Sequence, residues 1–230
     1  MHIAVIPDGN RRYMRKRGIL NLHESYNSGI NKFYDFLDWC VELGANEVTI
    51  YALSTENIEN RGSQEINTLL KLFTDQALEV MENGKLKANK IKVKICGDLD
   101  FLSKKISDQK LRNRIQDSFR KLEETTKSYK EHKLNLAVAY GGRNEIITAA
   151  NKVFSSGEKL TEENLKKNLW VSSYPDIIIR TSESRLSNFL IFQGAYSELY
   201  FVPKLWQEFE RSDLVNIVND FNSKERRFGK

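Results

Sequence analysis

Short β-branched runs alternate along this chain with longer segments in which apolar residues recur every three or four positions. The runs Ile3–Ile6, Glu47–Tyr51, Ile91–Cys96, Leu134–Ala139 and Asp176–Ile179 predict strands. Between them, Phe33, Phe36, Leu37, Cys40 and Val41 fall on one helical face, and Ile66, Leu69, Leu70, Phe73, Ala77, Val80 and Met81 on another. A more polar helix is predicted around Leu111, Ile115, Ser118 and Leu122, and a last one around Leu214, Ile217, Val218 and Phe221. This alternation predicts an α/β fold around a mostly parallel sheet, with the apolar stripes packed on it. Gly44, Gly84, Gly97 and Gly141-Gly142 follow several elements, where helices end or strands turn. With no repeat, low-complexity segment or linker-like stretch, a single domain over residues 1–230 is expected.

An open parallel sheet binds ligands beyond the carboxyl ends of its strands, so the residues just after each run carry the candidate chemistry. They are polar: Asp8-Gly9-Asn10-Arg11-Arg12, Ser54-Thr55-Glu56-Asn57, Gly97-Asp98, Gly141-Gly142-Arg143-Asn144, and Arg180 through Asn188. In the first of these, a side-chain-free Gly9 before an incipient helix lets backbone N–H groups approach an anion, and the arginines add forked donors suited to phosphate. Asp8 in such a cradle implies a magnesium-type ion between carboxylate and phosphate. An N-cap aspartate followed by solvated arginines reads the same residues equally well. Arg180, Arg185 and Ser187, with Glu198 nearby, suggest a second anion site, although either arginine could instead be a structural salt-bridge partner.

Charge changes this picture little. The chain has 36 Lys and Arg against 31 Asp and Glu, a net charge of +5, scattered rather than clustered with aromatics, which argues against nucleic-acid binding. Cys40 and Cys96 have neither disulfide nor zinc spacing and are read as buried or inert thiols; His2 and His132 are read as structural or exposed. No run reaches the length of a membrane span, and no leader pattern opens the chain, so a cytoplasmic protein is expected.

Taken in order, these segments make the chain resemble the cis-prenyltransferases, the undecaprenyl diphosphate synthase family. The resemblance runs almost end to end and is carried by His2 to Arg12, Tyr51 to Asn57, Tyr140 to Asn144, Arg180 to Leu190 and Gln193 to Phe201. It implies a central sheet of about six strands flanked by helices, with an apolar tunnel between sheet and helices. The implied reaction condenses isopentenyl diphosphate repeatedly onto an allylic diphosphate of the farnesyl or geranylgeranyl type, giving a Z-polyprenyl diphosphate that serves as a lipid-carrier precursor. By resemblance, Asp8 and Asn57 are catalytic, Asn57 assisting proton removal, and Gly9, Asn10, Arg11, Arg12 and His23 hold the allylic diphosphate. Arg180, Arg185, Ser187, Arg227 and Gly229 hold isopentenyl diphosphate, and Asp8 and Glu198 place Mg²⁺. Ala52, Leu70 and Phe73 belong to the tunnel, beside the Trp39-bearing stripe, and the small Ala52 implies a medium or long product. The Arg227-x-Gly229 tail implies a homodimer, and a long lipid product implies transient contact with a membrane surface.

The chain also departs from the family pattern. The loop after Arg180 is one residue short, which leaves the role of Ser184 open, and the segment between Gly18 and His23 is short and lacks the usual arginine, Asn21 being nearest. Tyr13 keeps one expected aromatic and Ile58 lacks the other. The D-D-x-x-D motif of trans-prenyltransferases is absent, as are both nucleotide-binding glycine motifs. A non-catalytic subunit of a two-component prenyltransferase is the alternative, disfavoured because Asp8, Asn10, Arg12 and Arg185 are all kept.

Overall fold

A computed structural model describes residues 1–82 and 84–225. The strands are β1 (His2–Ile6), β2 (Glu47–Ser54), β3 (Ile91–Cys96), β4 (His132–Tyr140), β5 (Ile177–Thr181) and β6 (Glu198–Val202). The helices, in chain order, are α1 (Asn10–Arg17), α2 (Leu22–Glu42), α3 (Thr55–Asn60), α4 (Ser63–Glu82), α5 (Lys85–Ala88), α6 (Leu99–Lys105), α7 (Gln109–Thr126), α8 (Gly142–Ser155), α9 (Glu162–Asn168) and α10 (Arg211–Ser223).

The strands form one sheet in the order β3-β4-β2-β1-β5-β6, with every neighbouring pair parallel. A parallel sheet is covered on both faces, and β1 is buried along its whole length. Its side chains alternate between two clusters. Ile3 and Val5 join the larger one, beneath α2, α4, α7 and α10; Ala4 and Ile6 join the smaller one with Tyr140, Val171, Phe189 and Leu190. The chain leaves β1 toward β2 on one side, while β5 is laid against its other side. That reversal of strand order opens a crevice at the carboxyl end of β1.

The five predicted strands are present, within a few residues at their ends. The sixth, β6, is an edge strand that alternates half-buried and exposed residues. In β2 the pairing with β4 slips between Tyr51 and Leu53, so Ala52 is the extra residue of a β-bulge. Cys40 and Cys96 are buried and free, and burial pushes both thiols up, that of Cys96 to about 12. His2 is buried with its Nε2 2.7 Å from the Thr49 hydroxyl, and His132 Nδ1 lies 3.0 Å from the Ala45 carbonyl. Among the described residues, no helix is long and apolar enough to cross a membrane.

Candidate active site

The register of β1 on β5 sets Ile6 opposite Arg180, so Asp8, two residues past Ile6, leaves the sheet beside the end of β5. The Thr181 hydroxyl fixes that exit: it accepts from the Asp8 N–H at 2.9 Å and donates to the Asp8 carbonyl at 2.8 Å. Arg180 then donates through one terminal nitrogen to Asp8 Oδ2 at 2.8 Å, and through the other to the Ser187 hydroxyl and the Arg185 carbonyl. Its side chain is only 5% exposed, whereas that of Asp8 is 32% exposed. Arg12 completes the cluster, reaching Glu183 at 3.0 Å and Asp8 Oδ1 at 3.6 Å.

The turn into α1 requires glycine. Gly9 has φ +106°, and a Cβ there would stand 2.9 Å from the Leu205 side chain. No side chain caps α1, and Gly9 rather than Asp8 is its N-cap, so the first-turn N–H groups of a helix whose first residues line the cavity are left without a side-chain cap. The N-cap reading of Asp8 therefore fails; its Oδ1 accepts instead from the adjacent Gly9 N–H. The Asn10 side chain is committed to protein, donating to the Pro7 carbonyl at 3.0 Å and accepting from Gln207 at 2.7 Å. This places Asn10 Oδ1 against α2 at Gly29, where a Cβ would come within 2.5 Å of it.

The crevice leads into a cavity of about 1290 Å³. Its mouth carries Arg11, Arg12, Arg15, Arg143 and Arg185, with Arg180 at its wall. An apolar stretch runs between Ile50, Val93, Leu134 and Leu136 of the sheet and Phe33, Leu37, Leu69, Phe73 and Ala77 of α2 and α4, and Asp38, Gln76, Lys85 and Asn89 also line the cavity. Tyr26, Asn57, Arg61 and Glu65, from α2, α3 and α4 and the turn between α3 and α4, also line it. The Ser182–Leu190 loop at the rim holds four non-glycine residues at positive φ, Ser182, Ser187, Asn188 and Leu190. Such strain persists where surroundings over-determine the backbone. Here Tyr51 stacks on Phe189 with centroids 4.7 Å apart, and the Asn188 amide donates to Glu56 at 2.9 Å. Burial alone pushes the Glu56 carboxyl up, but the hydrogen bonds from Asn188 and its neighbours outweigh it and hold the group below the ordinary range.

The structure thus gathers Asp8, Gly9, Asn10, Arg11, Arg12, Asn57, Arg180, Arg185 and Ser187 around one mouth, with Ala52 and Phe73 on the cavity wall. Three expected positions lie elsewhere. His23 is exposed in the first turn of α2, off the cavity; Tyr26, three residues on and therefore on the same helical side, lines it instead. Leu70 is fully buried in the core, rotated off the wall that its neighbour Leu69 lines. Glu198 begins β6 level with Ile177 and hence with Ile3, roughly 16 Å below Asp8 along the strands, where it pairs with Lys224 at 2.9 Å. Within one chain, Glu198 cannot share a metal with Asp8. Arg227 and Gly229 lie outside the described residues. Sequence reading missed Tyr26, Arg61 and Glu65; Arg143 was singled out within the Gly141-Gly142-Arg143-Asn144 segment at a strand end but was given no role.

A family model described as "Putative undecaprenyl diphosphate synthase" matches residues 6–229. Relatives named tritrans,polycis-undecaprenyl-diphosphate synthase (geranylgeranyl-diphosphate specific) include those of Methanopyrus kandleri and Pyrobaculum aerophilum. Each is 40% identical over 100% of this chain, covering 84% and 95% of their own lengths. Among solved structures, lavandulyl diphosphate synthase from Lavandula x intermedia, in complex with dimethylallyl diphosphate, superposes with a TM-score of 0.87. It is 29% identical and covers 100% of this chain and 98% of that one. A "probable undecaprenyl diphosphate synthase" from Campylobacter jejuni superposes at 0.79 with 32% identity and the same coverage. Strand order, crevice and sequence agree: the chain belongs to the undecaprenyl diphosphate synthase family, and it is a prenyl-transferring enzyme of the cis type.

Proposed function

We propose that this enzyme adds isopentenyl diphosphate repeatedly to a geranylgeranyl-type allylic diphosphate, forming a Z double bond at each step and yielding a polyprenyl diphosphate for use as a lipid carrier. The observation that carries this reading is the cationic mouth, with Asp8 and Arg180 2.8 Å apart, opening into a cavity of about 1290 Å³ with an apolar stretch between sheet and helices. The starter preference is supported by the printed specificity of the archaeal relatives.

In this reading the α1 N-terminus with Arg11 and Arg12 binds the allylic diphosphate, and Arg185, Arg143 and Ser187 bind isopentenyl diphosphate. Oriented donors stabilise charge that grows on the departing diphosphate, so they act more strongly in the transition state than in the ground state. Holding the two substrates on one rim supplies proximity, and the cavity takes up the growing hydrocarbon. Among the described residues no three or more His, Cys, Asp or Glu cluster to hold a metal alone. A part-exposed carboxylate shared with substrate phosphates does fit Mg²⁺, so Asp8 would hold it, and the bound ion would add charge stabilisation to the leaving group. The expected homodimer is supported by Leu199 and Phe201, which stand 42% and 40% exposed on edge strand β6.

The test is incubation of the purified chain with labelled isopentenyl diphosphate, Mg²⁺ and allylic starters of increasing length, with mass analysis of the extract. A Mg²⁺-dependent ladder of polyprenyl products, greatest with geranylgeranyl diphosphate, is expected. No product from any starter overturns the reading.

A further inference from the structure

The cavity lining contains a hydrogen-bonded chain that links three helices. The Tyr26 hydroxyl on α2 donates to Glu65 on α4 and accepts from Arg61 at 3.1 Å. Arg61, which caps the C-terminal end of α3, also lies 3.3 Å from Glu65 through the same terminal nitrogen. Its other terminal nitrogen donates to Asn57 Oδ1 at 3.1 Å. All four residues line the cavity. The side chains of Arg61 and Glu65 are 21% and 13% exposed, and Tyr26 is buried.

A guanidinium is a rigid planar fork, so fixing one terminal nitrogen fixes the direction of the other. Tyr26 and Glu65 hold the first; the second then draws the Asn57 carbonyl oxygen toward Arg61. The Asn57 backbone N–H is already held by the Ser54 hydroxyl at 3.0 Å, which pins the residue at the start of its helix. What the amide has left for a ligand is its NH₂ end, a donor with no basic lone pair.

We infer that Tyr26 is a positioning residue that acts through Arg61 to present the Asn57 side-chain amide as a hydrogen-bond donor toward a diphosphate oxygen in the cavity. Asn57 then serves by holding an anionic oxygen, and the proton lost in each condensation goes to that oxygen rather than to the amide. The inference deepens the proposed reaction and rests on it for the identity of the ligand. Burial pushes the Tyr26 hydroxyl well above its ordinary range against the opposing charge of Arg61, so at neutral pH it remains a donor to Glu65.

Two readouts test this. In the ligand-free protein, the Asn57 side-chain amide signals, assigned by their loss in Asn57→Asp, are expected to shift in Tyr26→Phe and in Glu65→Gln. In turnover assays Tyr26→Phe is expected to lower kcat roughly tenfold, the effect of losing a hydrogen bond to a charged group, while both KM values stay within about twofold. In an Asn57→Ala background the same change is expected to have no further effect on kcat. Unmoved amide signals in both variants overturn the inference, as does an undiminished kcat loss in the Asn57→Ala background. The amide readout needs no substrate, so a wild-type chain that makes no prenyl product sinks the proposed function while the network is still decided by the spectra.

Discussion

Asp8→Asn keeps size and shape but removes the charge that faces Arg180. The guanidinium it leaves is 5% exposed and holds only the neutral Ser187 hydroxyl and Arg185 carbonyl besides an amide oxygen, and its Nε already lacks a protein partner among the described residues. Breaking a buried ion pair costs about 3–5 kcal/mol, but Asp8 is part-exposed, and water lowers this to about 2 kcal/mol. For a chain of this size that corresponds to a melting temperature lower by about 4–8 °C. The same substitution removes the carboxylate proposed to hold Mg²⁺ against the departing diphosphate, so kcat should fall by about 10²–10³ with little change in either KM. Thermal melting with steady-state kinetics at saturating Mg²⁺ reads both. A melting temperature within 1 °C of wild type (against the shift of about 4–8 °C), or kcat within about threefold, would refute the reasoning.

Other substitutions separate the cavity wall from the core. Ala52→Phe places a ring at the bulge on the wall and should shift the product distribution to lower mass, as read by mass spectrometry of the extract. Leu70→Ala, buried off the cavity, should lose about 2–5 kcal/mol in urea denaturation and leave product length unchanged. His23→Ala should change stability by less than about 0.5 kcal/mol and leave turnover near wild type, since the side chain is exposed off the site. Burial lowers the pKa of His2 from 6.5 to about 4, so the folded state keeps it neutral while the unfolded chain takes up a proton first. Stability should therefore fall by up to about 3 kcal/mol as pH drops from 6.5 toward 4, and His2→Gln should flatten that window in denaturant titrations.

The parts of the molecule legible in the sequence are those governed by local pattern. Central strands buried on both faces read as uninterrupted β-branched runs, and the polar segment after each run marked the rim. The juxtaposition of Asp8 and Arg180 followed from parallel register, which makes residues after neighbouring strands meet at one edge. Edge strand β6 was not among the runs read from pattern, although Leu199-Tyr200-Phe201-Val202 is an uninterrupted apolar stretch; the sixth strand was implied only by the family resemblance. The structure also places His23 differently from the expectation. The short segment after Gly18 starts α2 at Leu22, which leaves His23 exposed in the first turn and puts Tyr26, one turn further along the same helical side, at the cavity; where a helix starts relative to the sheet is set by packing and not by spacing. Glu198 was drawn to the site by its place in a motif, but strand register holds it at the far end of the sheet. Arg61 reaches Asn57, Tyr26 and Glu65 through packing of three helices, which no spacing along the chain encodes.

The most direct measurement is a crystal structure of this protein with Mg²⁺, isopentenyl diphosphate and a non-reactive thiolo analogue of geranylgeranyl diphosphate. The account predicts one diphosphate on the α1 N-terminus beside Asp8, a second against Arg185 and Ser187, and the hydrocarbon chain running inward past Ala52 and Phe73. Diphosphates bound away from the Asp8–Arg180 rim, or a hydrocarbon chain lying outside the cavity, would contradict it.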